Sequence, residues 1–158
     1  SGAHFNPAVS MVFFLRKELE LNKLLNYVFF QLIGGLFAII LIHYIFNQEL
    51  FQISTHPMRV ENSPWSLLVS EIIATSGLIL TILFVRRNDE NSVAIAVALF
   101  ITAGYWFTSS TSFANPMVTI SRTFTDTFTG ISSVSVPYFL VGQLIGGFLG
   151  YLIYNKYD

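Results

Sequence analysis

Two Asn-Pro pairs are the residues of this chain whose types and context most clearly point to chemistry. Asn6-Pro7 and Asn115-Pro116 each precede an apolar stretch. Asn caps a helix through its side-chain oxygen, and Pro fits the first helical position, where its missing N–H costs nothing. Apolar segments this short cannot span a bilayer and are typical of buried or re-entrant helices. The sequence therefore predicts two half-helices, over residues 8–15 and 118–128.

Half-helices that enter a bilayer from opposite faces would meet near its midplane, N-terminus to N-terminus. Each N-terminus carries about half a positive charge, so the meeting point repels cations. The amides of Asn6 and Asn115 would donate hydrogen bonds to a water molecule, which interrupts the water chain that a proton needs. The stretches before the two pairs are expected to be extended and to line the pore with backbone carbonyls. These stretches are Gly2-Ala3-His4 and Thr111-Ser112-Phe113.

An internal repeat connects the two pairs. NPAVS from Asn6 is followed by QLIGG from Gln31, and NPMVT from Asn115 is followed by QLIGG from Gln143 at a similar distance. A lone Asn-Pro is usually a simple junction between a loop and a helix. Two copies, each followed by the same pentapeptide, indicate instead a duplicated unit of half-helix and glycine-containing span.

Four longer apolar blocks are predicted to cross the membrane: 24–46, 65–85, 93–107 and 136–154. Two of them precede the second half-helix, whereas none precedes the first. We therefore expect one all-α membrane domain over 1–158, with 1–46 as the end of a first repeat and 64–158 as a second. Because each complete repeat has three spans, the two copies are expected to be inverted, and the first two spans of the fold are missing.

Composition supports the membrane assignment and excludes several other classes. The chain is 53% hydrophobic and 11% charged, whereas soluble domains are about one quarter charged. A net charge of −1 gives nucleic acid no electrostatic attraction. No cysteine is present, and there is no HExxH, GxSxG or phosphate-binding loop, so the sequence predicts neither an enzyme, a metal site nor a cofactor.

The distribution of basic residues fixes the orientation. If the chain before the first span is cytoplasmic, six of the eight Lys and Arg residues lie inside, as the positive-inside rule requires. The inside residues are Arg16, Lys17, Lys23, Arg86, Arg87 and Lys156, and the outside ones are Arg59 and Arg122.

These motifs resemble the aquaporin and glycerol-facilitator family, also called major intrinsic proteins. SGAHFNPAV is similar to its first signature box, SFANPMVTISRTFTDTFTGI to its second, and the QLIGG spans to its third and sixth helices. The resemblance implies a multi-pass cell-membrane channel for water and glycerol-like solutes, with one pore per monomer and homotetrameric assembly. Without the first two helices, this chain alone should not enclose a pore.

The chain departs from the family pattern at the outer constriction. Val118 occupies the usual Arg position and Met117 replaces Ala, while Ala103 and Ser112 match the other filter positions. Arg122 comes one helical turn later, and sequence position alone does not transfer the filter role to it. A wider and more apolar filter should pass solutes larger than water. The second box resembles that of bacterial members associated with arsenic resistance, which suggests arsenite-type hydroxides. Alternatives are a non-conducting fragment and a coupled secondary transporter.

A few further residues have expected roles. Glu71 matches the family carboxylate that holds the second pore loop, although an interfacial or interhelical pairing would also explain it. His4 is expected to contribute its carbonyl, and His43 to be an ordinary interfacial residue. The glycine pairs of both QLIGG spans are expected to allow close helix packing.

Overall fold

The computed structural model describes residues 2–56 and 64–157. Within those ranges, four helices are long and apolar enough to cross a membrane, which confirms the predicted spans. They are α2 (Leu21–Ile45), α3 (Pro64–Asn88), the span Glu90–Phe107, which is α4 (Val93–Phe107) with the 3₁₀ turn before it, and the span Ser133–Tyr157, which is α6 (Val136–Tyr157) with the 3₁₀ turn before it. All secondary structure in the described part of the chain is helical. Arg59, assigned above to the outer side, lies outside the described residues.

Two short helices begin at the Asn-Pro pairs, as predicted, one before α2 and the other between α4 and α6. The first, α1 (Pro7–Leu15), has the expected length. The second, α5 (Pro116–Ser121), is shorter than the predicted 118–128, because a 3₁₀ turn over Arg122–Phe124 ends it. Beyond that turn the Thr125 hydroxyl bonds to His43 and the Asp126 carboxylate to Thr55, so side chains of residues 125–126 contact other segments instead of continuing a helix.

The tightest contact between long helices joins α3 to α6. Two glycines one turn apart on α6 face the α3 backbone. A Cβ atom added to Gly142 would lie 2.7 Å from the Leu68 carbonyl oxygen, and a Cβ atom added to Gly146 would lie 2.6 Å from the Ile72 carbonyl oxygen. Small residues at such a seam let helix backbones approach closely in a membrane, where packing replaces the hydrophobic effect. These two helices are therefore the most closely packed pair of long helices in the described part of the chain.

The half-helices pack on spans from the opposite repeat. A Cβ on Gly35 of α2 would overlap Met117 and Ser121 of α5, whereas a Cβ on Gly147 of α6 would meet Met11 of α1 at 3.6 Å. The two repeats are therefore interlocked, because each glycine-containing span supports the other repeat's half-helix as well as its own. The expectation that all four glycines allow close helix packing is wrong for Gly34 and Gly147. A Cβ atom on Gly34 would meet nothing within 4 Å, and a Cβ atom on Gly147 would make only ordinary contacts.

The two remaining spans are mostly uncovered. Only 11% of the apolar stretch of α2 is buried, against 33% for α3 and α6. On α4 the value is 6%. These faces carry large apolar side chains such as Phe37 and Leu99, each more than 60% exposed. Their composition suits contact with lipid or with other apolar helices.

A charged cluster holds the ends of α1 and α3 together. Glu18, just after α1, accepts a hydrogen bond from Arg16 at 2.7 Å and another from Arg86 at the end of α3. The two guanidinium groups also stack on aromatic rings, Arg16 on Tyr154 at 4.7 Å and Arg86 on Phe13 at 4.9 Å. Three of the basic residues assigned to the cytoplasmic side thus belong to one end of the bundle, since Arg87 bonds to the Tyr157 carbonyl there.

The Glu18 cluster is expected to make stability depend on pH. Partial burial raises the pKa of Glu18, but the bonds from Arg86 and Arg16 outweigh it and hold the pKa below its ordinary value. A carboxyl whose pKa is lower in the folded state stabilises the fold above its unfolded pKa, and that stabilisation is lost as pH falls through the folded pKa. Glu18→Gln should cost about 1 kcal/mol at pH 7 and progressively less below about pH 4.

Thermal unfolding in detergent at pH 7 and at low pH measures this difference. Glu49→Gln is the matched control, because Glu49 is an exposed carboxylate in the loop after α2. An equal loss of stability in Glu18→Gln at both pH values would show that its ionisation contributes nothing.

Candidate functional site: two facing half-helices

Each Asn side chain caps its own half-helix. The Asn6 side-chain oxygen accepts from the Ala8 N–H at 2.9 Å, and that of Asn115 accepts from the Met117 N–H at 3.0 Å. Both Asn residues have extended backbone, with φ of −149° and −155°, as an N-cap requires. In both helices Pro occupies the next position. The capping follows from local sequence, because donor and acceptor are two residues apart.

The two caps are also bonded to each other's loops. Asn6 Nδ2 donates to the Ala114 carbonyl at 2.6 Å, and Asn115 Nδ2 donates to the Phe5 carbonyl at 3.0 Å. Each amide therefore binds the carbonyl that directly precedes the other Asn. This reciprocal pair places the two helix N-termini face to face. An amide nitrogen has two hydrogens, so each Asn retains one donor beyond its bond to the opposite loop.

The loops before the caps are not extended, contrary to the sequence expectation. Ala3, Thr111, Ser112 and Ala114 all have left-handed backbone, with φ between 47° and 59°, and Gly2 has φ of 71°. In an extended strand successive backbone carbonyls point to opposite sides. Consecutive residues in a helical conformation point their carbonyls to the same side, so the left-handed backbone suits a row of carbonyls along one wall. The left-handed pairs at Gly2-Ala3 and Thr111-Ser112 occupy equivalent places in the two repeats.

Glu71 holds the second of these loops. Its buried carboxylate accepts from the Phe113 N–H at 3.0 Å and the Ala114 N–H at 2.8 Å, from the Ser110 hydroxyl at 2.5 Å and from Gln143 Nε2 at 2.6 Å. Left-handed non-glycine residues cost about 1–2 kcal/mol each and persist only where surrounding bonds fix them. Four donors on one carboxylate supply that constraint.

The glutamines of the two QLIGG segments make equivalent hydrogen bonds in the two repeats. Gln31 Nε2 donates to the His4 carbonyl at 2.7 Å and to the Ser10 hydroxyl at 3.0 Å. Gln143 Nε2 donates to Glu71 and, at 2.8 Å, to the Thr119 hydroxyl. Ser10 and Thr119 are the fifth residues of the two Asn-Pro boxes. The repeated glutamine thus bonds each span to its own half-helix. Its presence in both copies of the pentapeptide could have predicted this role.

The three predicted filter residues have different environments. Ser112 is buried and its hydroxyl lies 2.9 Å from that of Thr108. Val118 is half-buried on α5, and Ala103 is exposed on α4. Gly104, not Ala103, lies against Ser112, since a Cβ there would approach the Ser112 hydroxyl to 2.6 Å. Sequence reasoning missed this small-residue contact because a single glycine in a span has many explanations.

His43 corrects another expectation. It is fully buried, with Nδ1 3.0 Å from the Leu50 carbonyl and Nε2 2.9 Å from the Thr125 hydroxyl. Since a carbonyl can only accept, Nδ1 carries the proton in the neutral ring and Thr125 donates to Nε2. His43 therefore fastens the loop after α2 to the segment after α5, and is not an ordinary interfacial residue. The Ser54 N–H adds a bond to the Thr123 carbonyl at 2.8 Å.

The family model described as Major intrinsic protein matches residues 1–101 of the 158. The chain belongs to the major intrinsic protein family. Membership agrees with the face-to-face half-helices and the apolar helices, and it makes this chain part of a multi-pass membrane protein rather than an enzyme.

Curated relatives of this major intrinsic protein match between 46% and 98% of its length. Aquaglyceroporin AqpS of Rhizobium meliloti (strain 1021) is 44% identical over 92% of this chain and 61% of its own length. The glycerol uptake facilitator protein of Buchnera aphidicola is 35% identical over 46% of this chain and 27% of its own. The lens fiber major intrinsic protein of Lithobates pipiens is 27% identical over 98% and 60%. The chain thus spans about three fifths of the length of the first and third.

Proposed function

We propose that the intact protein containing this chain is a passive channel for small uncharged solutes. The observation that carries the proposal is the reciprocal pair of bonds from Asn6 to Ala114 and from Asn115 to Phe5. It directs two helix N-termini and two spare amide hydrogens at one point. Such a point disfavours cations and binds the oxygen of water or a hydroxyl group.

The pore wall is assigned to the two left-handed loops, Gly2-Ala3-His4 and Thr111-Ser112-Phe113. Their carbonyls accept hydrogen bonds from a permeating solute while the Asn amides donate to it. We assign Val118, Ala103 and Ser112 to the outer constriction and Glu71 to the support of the second loop. The intact channel is further proposed to be one domain, in which 1–46 end a first repeat and 64–158 form a second.

The proposed solutes are water, glycerol-like polyols and arsenite-type metalloid hydroxides. Supporting this choice, both residues assigned to the outer constriction, Val118 and Ala103, are apolar, and bulky donors at those positions would narrow the opening. Two relatives carry glycerol transport in their names, an aquaglyceroporin and a glycerol uptake facilitator. A lipid bilayer surrounds the channel, and we propose that the full-length protein assembles as a homotetramer.

Swelling of vesicles that contain the full-length protein tests the proposal. Glycerol and arsenite should enter faster than into empty vesicles, with flux linear in solute concentration and indifferent to imposed ion gradients. Saturation together with a dependence on an ion gradient would indicate a coupled transporter instead. Fast water flow with glycerol and arsenite both blocked would reject the solute assignment.

The substitution Asn115→Asp tests the exclusion of cations while leaving the capping of α5 intact. Asp caps a helix as well as Asn does, so α5 should form, but the variant cannot donate to Phe5 and places a negative charge where the helices meet. We expect cation leak to rise at least about tenfold, which corresponds to roughly 1.4 kcal/mol. The same change at Asn155, an exposed residue on α6, is the matched control. Unchanged leak in Asn115→Asp would contradict the assigned role of the facing amides.

A further inference from the structure

Arg122 is a partly buried cation on the same side of the molecule as the proposed outer constriction. It lies four residues after Val118 and begins the 3₁₀ turn that ends α5. Residues four apart share one face of a helix and are separated by about 6 Å along its axis. Arg122 is thus one turn farther than Val118 from the facing Asn caps.

The guanidinium of Arg122 is fixed over the second pore loop. Its central carbon lies 4.4 Å from the centre of the Phe113 ring, and that ring in turn packs on Phe139 with 4.9 Å between ring centres. The Tyr105 side chain of α4 is its hydrogen-bonding neighbour. The backbone is held as well, because the Ile131 N–H donates to the Arg122 carbonyl at 3.1 Å. The group is therefore anchored between the loop and α4.

This cation has no carboxylate partner among residues 2–56 and 64–157. The contrast with Arg16 and Arg86, which share Glu18, is direct. Stacking on Phe113 uses the face of the guanidinium and leaves its N–H groups pointing outward in the plane of the group. A cation removed from water keeps its charge at low cost only if acceptors reach those N–H groups. The Tyr105 hydroxyl supplies one acceptor, and in a pore water or a passing solute supplies the others.

We propose that Arg122 is a specificity-determining residue of this channel, supplying at the outer mouth the fixed positive charge and donors that residue 118 does not. Solutes would pass between the apolar side chains of Val118 and Ala103 and the N–H groups of Arg122. Such a passage selects molecules with several oxygen acceptors on one side and no net positive charge, which describes short polyols and metalloid hydroxides. The inference rests on the proposed channel function and specifies its selectivity.

Chemical restoration of the charge gives the sharpest test, because this chain has no cysteine. Arg122→Cys in the full-length protein should raise sodium and proton leak at least about tenfold and lower the ratio of glycerol flux to water flux. Aminoethyl methanethiosulfonate forms a disulfide with the thiol and releases methanesulfinate, which places an ammonium group near the lost guanidinium. It should restore much of the exclusion, whereas the neutral methyl reagent should not.

Two controls separate a selective role from a structural one. The parent protein and Glu90→Cys, an exposed position at the opposite end of the bundle, receive the same reagents and should be unaffected. Arg122→Lys retains the charge without the planar stack, so it should exclude cations nearly as well as the parent. Loss of exclusion that is equal in Lys and Cys variants, with no response to either reagent, would show that Arg122 only braces Phe113.

Failure of the inference is distinguishable from failure of the proposed function. A parent protein that conducts glycerol, with an Arg122→Cys variant that matches it in leak and flux ratio, would overturn the role of Arg122 alone. A parent protein that conducts no solute would overturn the channel function and this inference together.

Discussion

Glu71→Gln is expected to have the largest effect of any isosteric substitution in this chain. The carboxylate receives four donors, two of them backbone N–H groups that no other group in the described chain accepts from. An amide replaces one acceptor oxygen with a donor. Removing an acceptor from a buried charged network costs about 3–5 kcal/mol. The left-handed loop would lose its constraint, so solute flux should fall at least about tenfold.

Gln143 is the residue most able to compensate. Its own Oε1 is buried without a partner, so a flipped amide could accept from the side-chain nitrogen that the substitution introduces at position 71. The flip would not provide an acceptor for the Ala114 N–H, which therefore remains unpaired. For this reason we expect partial rather than complete retention of the fold, visible as a lower Tm in detergent and as lower flux in vesicles. Glu49→Gln, in an exposed loop, is the control.

A Glu71→Gln protein with the parent's Tm and flux would contradict the role assigned to this carboxylate. A lower Tm together with normal flux per folded molecule would show that Glu71 stabilises the bundle without determining the shape of the loop.

Gly146→Ala is expected to weaken the contact between α3 and α6. The added methyl would lie 2.6 Å from the Ile72 carbonyl oxygen and 3.0 Å from its Cα, and backbone atoms cannot move aside as a flexible side chain can. Separating the helices costs about 1–3 kcal/mol. Alanine regains up to about 1 kcal/mol through its helix propensity, so a net loss of stability remains.

The neighbouring glycine provides a closely matched control. A methyl at Gly147 would meet its nearest atom at 3.6 Å, an ordinary contact distance. Gly147→Ala should therefore be neutral or slightly stabilising. Thermal unfolding of the two variants in the same detergent measures the difference. Equal Tm values would show that the seam relaxes freely, and that the glycine spacing on α6 has no bearing on stability.

Local sequence determined where the main elements lie. Asn6-Pro7 and Asn115-Pro116 specify helix starts because a cap and its first N–H donors are two or three residues apart, so no distant residue is needed. The four spans follow from apolar length for the same reason: in a bilayer, a backbone that satisfies its hydrogen bonds within one segment must be helical. The repeated QLIGG identified equivalent positions, and the chain's resemblance to the family suggested Glu71 as the loop support.

Only the tertiary structure decided which of these elements contact one another and through which residues. The bond from Asn6 to Ala114 joins residues 108 positions apart, and no local pattern encodes it. The left-handed loop residues are intrinsically unfavourable, so propensity predicts extended backbone there, and distant acceptors such as Glu71 reverse the preference. Gly34 and Gly146 are equivalent in sequence, yet only Gly146 has a helix against it. The stacking of Arg122 on Phe113 likewise depends on where a loop passes in space, which residue types along the chain do not reveal.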